Sequence, residues 1–496
     1  MLDSNIAKTD LVPKVAQKID SSRAIQGLPG MPRRLLLIGQ VPAGASIERD
    51  KVITVSTLTN AQELFNEGSM LMAMFKAAYA NLQPGLPVDV VALDDDNTAQ
   101  AAAGNVLFAG TATAAGQLSL WIAGHSVRVG VAKDDTSVDI VAAIVAEMAT
   151  MPELPVTGAV NGGDTSQLDL TCNWGGETGN HIDVRVNYYD DELTPQGITA
   201  TITDMSGGAV NPDLTPVVSA MLNYRATEIV CPYTDSVSMA TLEAEAEARW
   251  DPNNMQDGQI CVAFDGTEGE SLAWLDGRNS SQVHSVHTKN ALTTPWETAA
   301  IVGALVEGQN TLDPGYPYIA DKLVGFLPAR LEEDFEELQI NNLLLEGGSV
   351  LTSNSNMGYV LRMVTNYTQT PLGADDSSMR NLNWIKVMSF WRWYSSNEHL
   401  KRIGQGWKLS SSDTDPIPGQ RIVTKSIAED FQMMMYDNFI DAGLFEERDY
   451  YRSQLLIEIN KAQGTLVVHE VPVMLGQHYQ TSITSFYVLD MPARTA

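Results

Sequence analysis

The sequence predicts an α/β and α+β multidomain fold. It has a doubly wound, Rossmann-like sheet with an inserted mostly-β domain, an α+β C-terminal domain, and extended N- and C-terminal arms. Three observations predict it. Short apolar runs alternate with helical periodicity on both sides of a long stretch rich in Gly, Thr and Val. Such alternation marks parallel βαβ units, because parallel strands need a crossover long enough to hold a helix. The two flanking stretches therefore share one sheet, and the stretch between them is a graft. Finally, the chain opens with a polar segment and closes with an extended one that is apolar on both faces.

The N-terminal arm, 1–25, carries Leu11, Val12, Val15 and Ile19 around Pro13, too little apolar surface for a core. Gly27, Pro29, Gly30 and Pro32 then punctuate the chain before Leu35–Ile38, which reads as a buried strand. Helices over 61–65 and 70–82, the second capped by Ser69, and a strand over 88–93 complete the first α/β stretch, 26–102. The insert, 103–208, reads as strands over 117–122, 127–131, 167–172 and 181–189 around one helix, 138–150.

The α/β rhythm resumes in 209–330. Helices are expected over 215–224, 236–250, 269–278 and 295–307, with Pro295 in the first turn of the last. Strands fall between them at 228–231, 259–264 and 282–286. The C-terminal domain, 331–478, begins with a helix over 331–345 and a hairpin over 351–367. A long helix over 381–403 carries Trp384, Trp391, Trp393 and Tyr394, mostly as core. Ser426 and Glu429 form a capping box for a helix over 426–442, whose apolar stripe is Ile427, Phe431, Met434 and Met435 and whose stop is Gly443. In the C-terminal arm, 479–496, Ile483, Tyr487 and Leu489 point one way and Phe486 and Val488 the other. A two-sided apolar strand beside a terminus must pair with something.

Composition narrows the function. At 496 residues the chain has room for about three domains of roughly 150 residues each. Its 61 acids against 31 bases give a formal charge of −30, which disfavours a role on nucleic acid or anionic lipid, since phosphates demand a cationic face. From Asn341 onward there are 13 bases and 16 acids, so only −3 of that charge lies there. Near neutrality suits a region that packs against copies of itself, and an ordinary composition explains it equally well. Cys172, Cys231 and Cys261 are far apart and odd in number, neither a disulfide framework nor a zinc spacing, as expected of a chain folded in a reducing cytoplasm. The N-terminus lacks the pattern of a secretory signal, and no apolar run approaches the ~20 residues of a membrane span.

Many local motifs resemble the contractile tail sheath proteins of Mu-like bacteriophages. They include SRAIQGLPGMPRRLLLIGQ from Ser22, VNYY with Asn187–Tyr189, NPDL at Asn211, YTD at Tyr233, PWE at Pro295 and NNLLLEGG at Asn341. VTNYTQT at Val364, WRWY at Trp391, PGQRIVTK at Pro418 and TSITSFYVL at Thr481 continue the same order. The chain departs from the family in its arm, which reads Val12-Pro13-Lys14-Val15-Ala16 where a Pro-Gly-Val-Tyr-like element is common.

The resemblance implies a subtilisin-like sheet in the α/β domain and a homopolymer of stacked six-subunit rings around a tail tube. It also implies partners at the baseplate and tail terminator, a place in the virion after assembly in the host cytoplasm, and contraction that drives the tube through the cell envelope. No cofactor, nucleic acid or membrane insertion is expected. The arms would add strands to neighbouring subunits through Val12, Val15, Ile19, Ile483, Phe486, Tyr487, Val488 and Leu489. Among the C-terminal cations, Arg392, Lys401 and Arg402 are the candidates to face the tube. A headless contractile particle such as a tailocin would use the same subunit.

A soluble α/β hydrolase is the reading from a different class. It would need Asp235, His284 or His287, and a serine such as Ser271, within hydrogen-bond reach. The Gly-x-Ser-x-Gly motif is absent. His284 and His287, three apart in a strand, point to opposite faces and do not suit one metal. Asp94-Asp95-Asp96 reads as a solvated acidic turn, and Gly39 as a tight turn without phosphate-binding glycines.

Overall fold

The apolar run after the proline–glycine stretch is a strand, β1 (Leu35–Gln40), buried at every position. In this computed structural model the described residues are 28–354, 357–404, 406–411 and 420–485. They divide into two compact units, a first spanning Met31–Trp393 and a second made of the described residues from Tyr394 onward together with those up to Gly30.

In the first unit β1 is followed by β2 (Val52–Val55), α1 (Leu58–Phe65), α2 (Met70–Asn81) and β3 (Val88–Leu93). Ser69 caps α2 by accepting from the Met72 amide. The insert contains β4 (Ala101–Gly110), β5 (Gly116–Ile122), β6 (His125–Val131), α3 (Ser137–Met148), β7 (Val156–Val160), β8 (Gln167–Gly175), β9 (Val184–Val186) and β10 (Ile198–Ser206). These strands form a four-stranded sheet, β10-β4-β8-β7, and a three-stranded one, β6-β5-β9. Strands β4, β7 and β10 were not legible. The Ala and Gly of β4 and β7 give weak strand propensity, and cross-strand pairing within the insert overrides it.

Beyond the insert come α4 (Thr215–Met221), β11 (Glu228–Val230), α5 (Ser236–Trp250), β12 (Gln259–Asp265), α6 (Glu268–Leu275), β13 (Val283–Thr288) and α7 (Pro295–Leu312). Then follow α8 (Glu337–Leu345), β14 (Gly348–Asn354), β15 (Met357–Arg362) and α9 (Leu382–Glu398), within which the first unit ends. One eight-stranded sheet runs β15-β14-β13-β12-β11-β1-β3-β2. Its interior pairs are parallel, while β2 and β15 join antiparallel.

This sheet crosses the boundary expected at 330. The hairpin β14–β15 belongs to it, because β13 pairs with β14 in the register Ser285↔Gly348. A crossover of nearly sixty residues separates the two strands in sequence, so local pattern could not reveal the pairing. The helix expected from Leu331 starts only at Glu337, where the Glu336 and Gln339 side chains make a reciprocal cap.

Helix α7 lies on β11 and β12 and is buried along nearly its whole length. Gly303 permits the approach, since a Cβ there would stand 2.5 Å from Val230 Cγ2. Gly303→Val is therefore expected to cost about 1–3 kcal/mol by overpacking. Gly303→Ala should cost less, because Ala recovers up to about 1 kcal/mol of helix propensity. Urea denaturation midpoints of the two variants check the order.

The second unit holds a π turn (His399–Ile403), a short parallel pair β16 (Lys408–Leu409) and β17 (Ile422–Val423), α10 (Lys425–Asp441), α11 (Arg448–Gln454) and the hairpin β18 (Leu456–Asn460)–β19 (Thr465–His469). The cap of α10 is Thr424, whose hydroxyl accepts from the Ile427 amide, rather than the Ser426–Glu429 box. Met433, Met435, Tyr436 and Phe439 fill the buried face, so the stripe lies rotated from the expected one and keeps only Phe431 and Met435. Tyr436 stacks on Tyr451 at 3.6 Å between ring centroids, and Phe439 meets Phe445 at 4.9 Å.

Candidate functional site

In an open α/β sheet, ligands bind outside the carboxyl ends of the strands where strand order reverses. Here that point lies between β1 and β11, and the insert fills it. Gln40, at the end of β1, donates to the Gly175 carbonyl at 2.7 Å, and the Gly175 amide donates to Asp95 at 2.8 Å. Trp174 of the insert meets Trp296 of α7 edge-on at 5.4 Å. Beside them, next to a more open space of about 170 Å³ along Gln40, Glu67, Ser69 and Trp174, is a cavity of about 30 Å³ lined by Glu177, His181, Asp265 and Trp296 among others. It has room for a water, not a substrate.

The hydrolase candidates do not converge. Asp235 caps α5, accepting from the Val237 and Ser238 amides and from Asn211. The Ser271 hydroxyl is buried in α6 without a partner among the described residues. His287 does reach a hydroxyl, Ser285 Oγ at 3.0 Å, but both residues are fully buried and Asn366 also donates to that oxygen. The other imidazole nitrogen of His287 has no partner among the described residues, and none of them orients it as a base. Burial alone pushes its pKa down to about 3. The three aspartates of the acidic turn also diverge. Asp94 pairs with Arg49, Asp95 with Gln40 and Gly175, and Asp96 closes on Thr98.

A buried ionic cluster at the amino ends of the strands was not foreseen. Glu228 on β11 is fully buried and holds His284 Nε2 at 2.6 Å and Lys386 Nζ at 2.5 Å. Lys386, from α9, also donates to the Thr227 carbonyl and stands 3.7 Å from Glu307 on α7. Burial drives the Glu228 carboxyl up, yet Lys386 and His284 outweigh it and hold it below its ordinary value. Glu228, Cys261 and His284 place ligand atoms within 4.8 Å of one another. Lys386 already supplies the countercharge there, and burial holds the Cys261 thiol well above its usual range. The cluster is a device of cohesion, tying α9 and α7 to the sheet.

The second unit carries the assembly candidates. Hairpin β18–β19 is a sheet of two strands only among the described residues. Ile457 is buried, while Leu456 is 64 % and Val467 36 % exposed on the other face. After His469 the described chain makes one isolated bridge, Phe445↔Met474, and no further strand. Ile483 is 81 % exposed. The other arm positions, Val12, Val15, Ile19, Phe486, Tyr487, Val488 and Leu489, lie outside the described residues.

The three cations named from sequence occupy different settings. Lys401 and Arg402 sit in the π turn with exposed side chains, both paired with Glu398. Arg392 turns inward in the first unit, donating to Asp257 at 2.6 Å and stacking over Trp250 at 4.9 Å. Its guanidinium is committed to a fold contact that helical periodicity cannot reveal.

Comparison with known proteins agrees with this architecture. The family model of the phage tail sheath protein central domain matches residues 207–365. The Mu-like prophage FluMu tail sheath protein of Haemophilus influenzae is 31 % identical over 457 residues, 92 % of each chain. Among solved structures, the sheath tail protein of Listeria innocua is similar in fold, with a TM-score of 0.50 at 11 % identity over 92 % of this chain and 94 % of that one. The helical sheath of the anti-feeding prophage in its contracted state gives a TM-score of 0.47 at 11 % identity, over 97 % and 99 %. At that level of identity and coverage to the prophage protein, the chain belongs to the Mu-like phage tail sheath family: it is a structural subunit of a contractile tail, a component of the particle and not an enzyme.

Proposed function

We propose that the subunits are joined by strand exchange at the β18–β19 hairpin. Each arm of a neighbouring subunit extends that two-stranded sheet, and the resulting mesh holds rings of six around a tail tube. The observation that supports this reading is the hairpin itself. Two strands alone are marginal in water, and their outer edges offer rows of backbone donors and acceptors. Strand addition draws affinity from the main chain, so arm side chains such as Lys14 and Ala16 are free to vary. A head-to-tail contact that does not close on itself propagates as a helix.

Lys401 and Arg402 are the cations best placed to face the tube, being exposed, whereas Arg392 serves the first unit. Baseplate and terminator proteins would bind the two ends of the stack, after assembly in the host cytoplasm. Contraction needs no cofactor if the extended lattice is a trapped packing released from one end. The 1–25 and 479–496 segments act as linking arms in this scheme, and the insert 103–208 as an outward domain.

Removal of Gln480–Ala496 should leave a folded, soluble subunit that forms no tubes at concentrations where the full chain does. Negative-stain microscopy of both chains tests it, with circular dichroism to confirm folding. Long tubes from the truncated chain would overturn the strand-exchange reading. Removing Met1–Asp20 should weaken assembly in the same direction.

A further inference from the structure

We draw no further inference here: the strongest candidate, the uncharged groove of about 500 Å³ between the end of β2 and the turn from α2 into β3, lined by Val55, Tyr79, Leu82 and Leu86 among others, carries nothing because nothing among the described residues shows what covers it.

Discussion

Lys386→Met is expected to destabilise the first unit by about 3–5 kcal/mol, the range found when one partner of a buried ion pair is removed. Met matches the length of the lysine stem but leaves Glu228 without its ammonium at 2.5 Å and Glu307 without the one at 3.7 Å. Both carboxylates are fully buried, so water cannot replace the lost charge. The loss falls on α9 first, because Lys386 is the residue through which that helix reaches the cluster. Adding Glu228→Gln should recover part of the stability, since the amide can still meet His284 and no longer buries a charge. Equilibrium urea unfolding of the two single variants and the double variant measures the coupling. A loss under about 1 kcal/mol for Lys386→Met would mean the cluster is solvated and not cohesive.

This cluster also marks where sequence reading stops. The strands that build it were readable, because Leu35–Ile38, Glu228–Cys231 and Gln259–Phe264 are short apolar runs separated by helical stretches. Their order in the sheet was not. In the sequence Glu228 is only the first residue of a strand, and Lys386 only one position within a long aromatic helix. They meet only because α9 packs across strands more than 150 residues away in sequence. The pairing of Arg392 with Asp257 is hidden for the same reason, since helical spacing separates faces but does not say which cation on a face finds an acid. The hairpin β14–β15 was legible as a hairpin and not as the continuation of the large sheet. Local patterns specify elements, whereas long-range parallel pairing depends on the whole chain. The site candidates drawn from chemistry, Ser271, His284, His287 and Asp235, were dispersed by that same topology into caps and core. What the motifs conveyed correctly was kinship, because short sequences in a fixed order survive when no single one carries a reaction.

His287 gives the second large effect, a loss of stability in mild acid. Its ring lies between Phe264 and Trp274 at about 6 Å, under Gly348, where even a Cβ would come within 2.8 Å of the imidazole. Burial holds its pKa at about 3, against 6.5 for an exposed imidazole. The unfolded chain therefore binds a proton below pH 6.5 that the folded chain refuses. Its contribution is fully present above 6.5 and is lost as pH falls toward 3, at up to ~1.4 kcal/mol per unit. Between pH 7.5 and 4.5 this amounts to about 3 kcal/mol. His181, also held low by burial, acts in the same direction. Glu228 joins only below the ordinary carboxylate range, because its own pKa is depressed. Asp183, Asp265 and Asp334 act oppositely, since burial raises their pKa values and protonation favours the folded state. Because these terms overlap, the readout is a difference. His287→Gln keeps a polar group near Ser285 and removes the titration. The variant should be less stable than the parent at pH 7.5, and the gap should narrow by about 3 kcal/mol at pH 4.5. Urea unfolding of both proteins across that range decides it, and a gap that stays constant with pH would show that His287 is not the proton-refusing group.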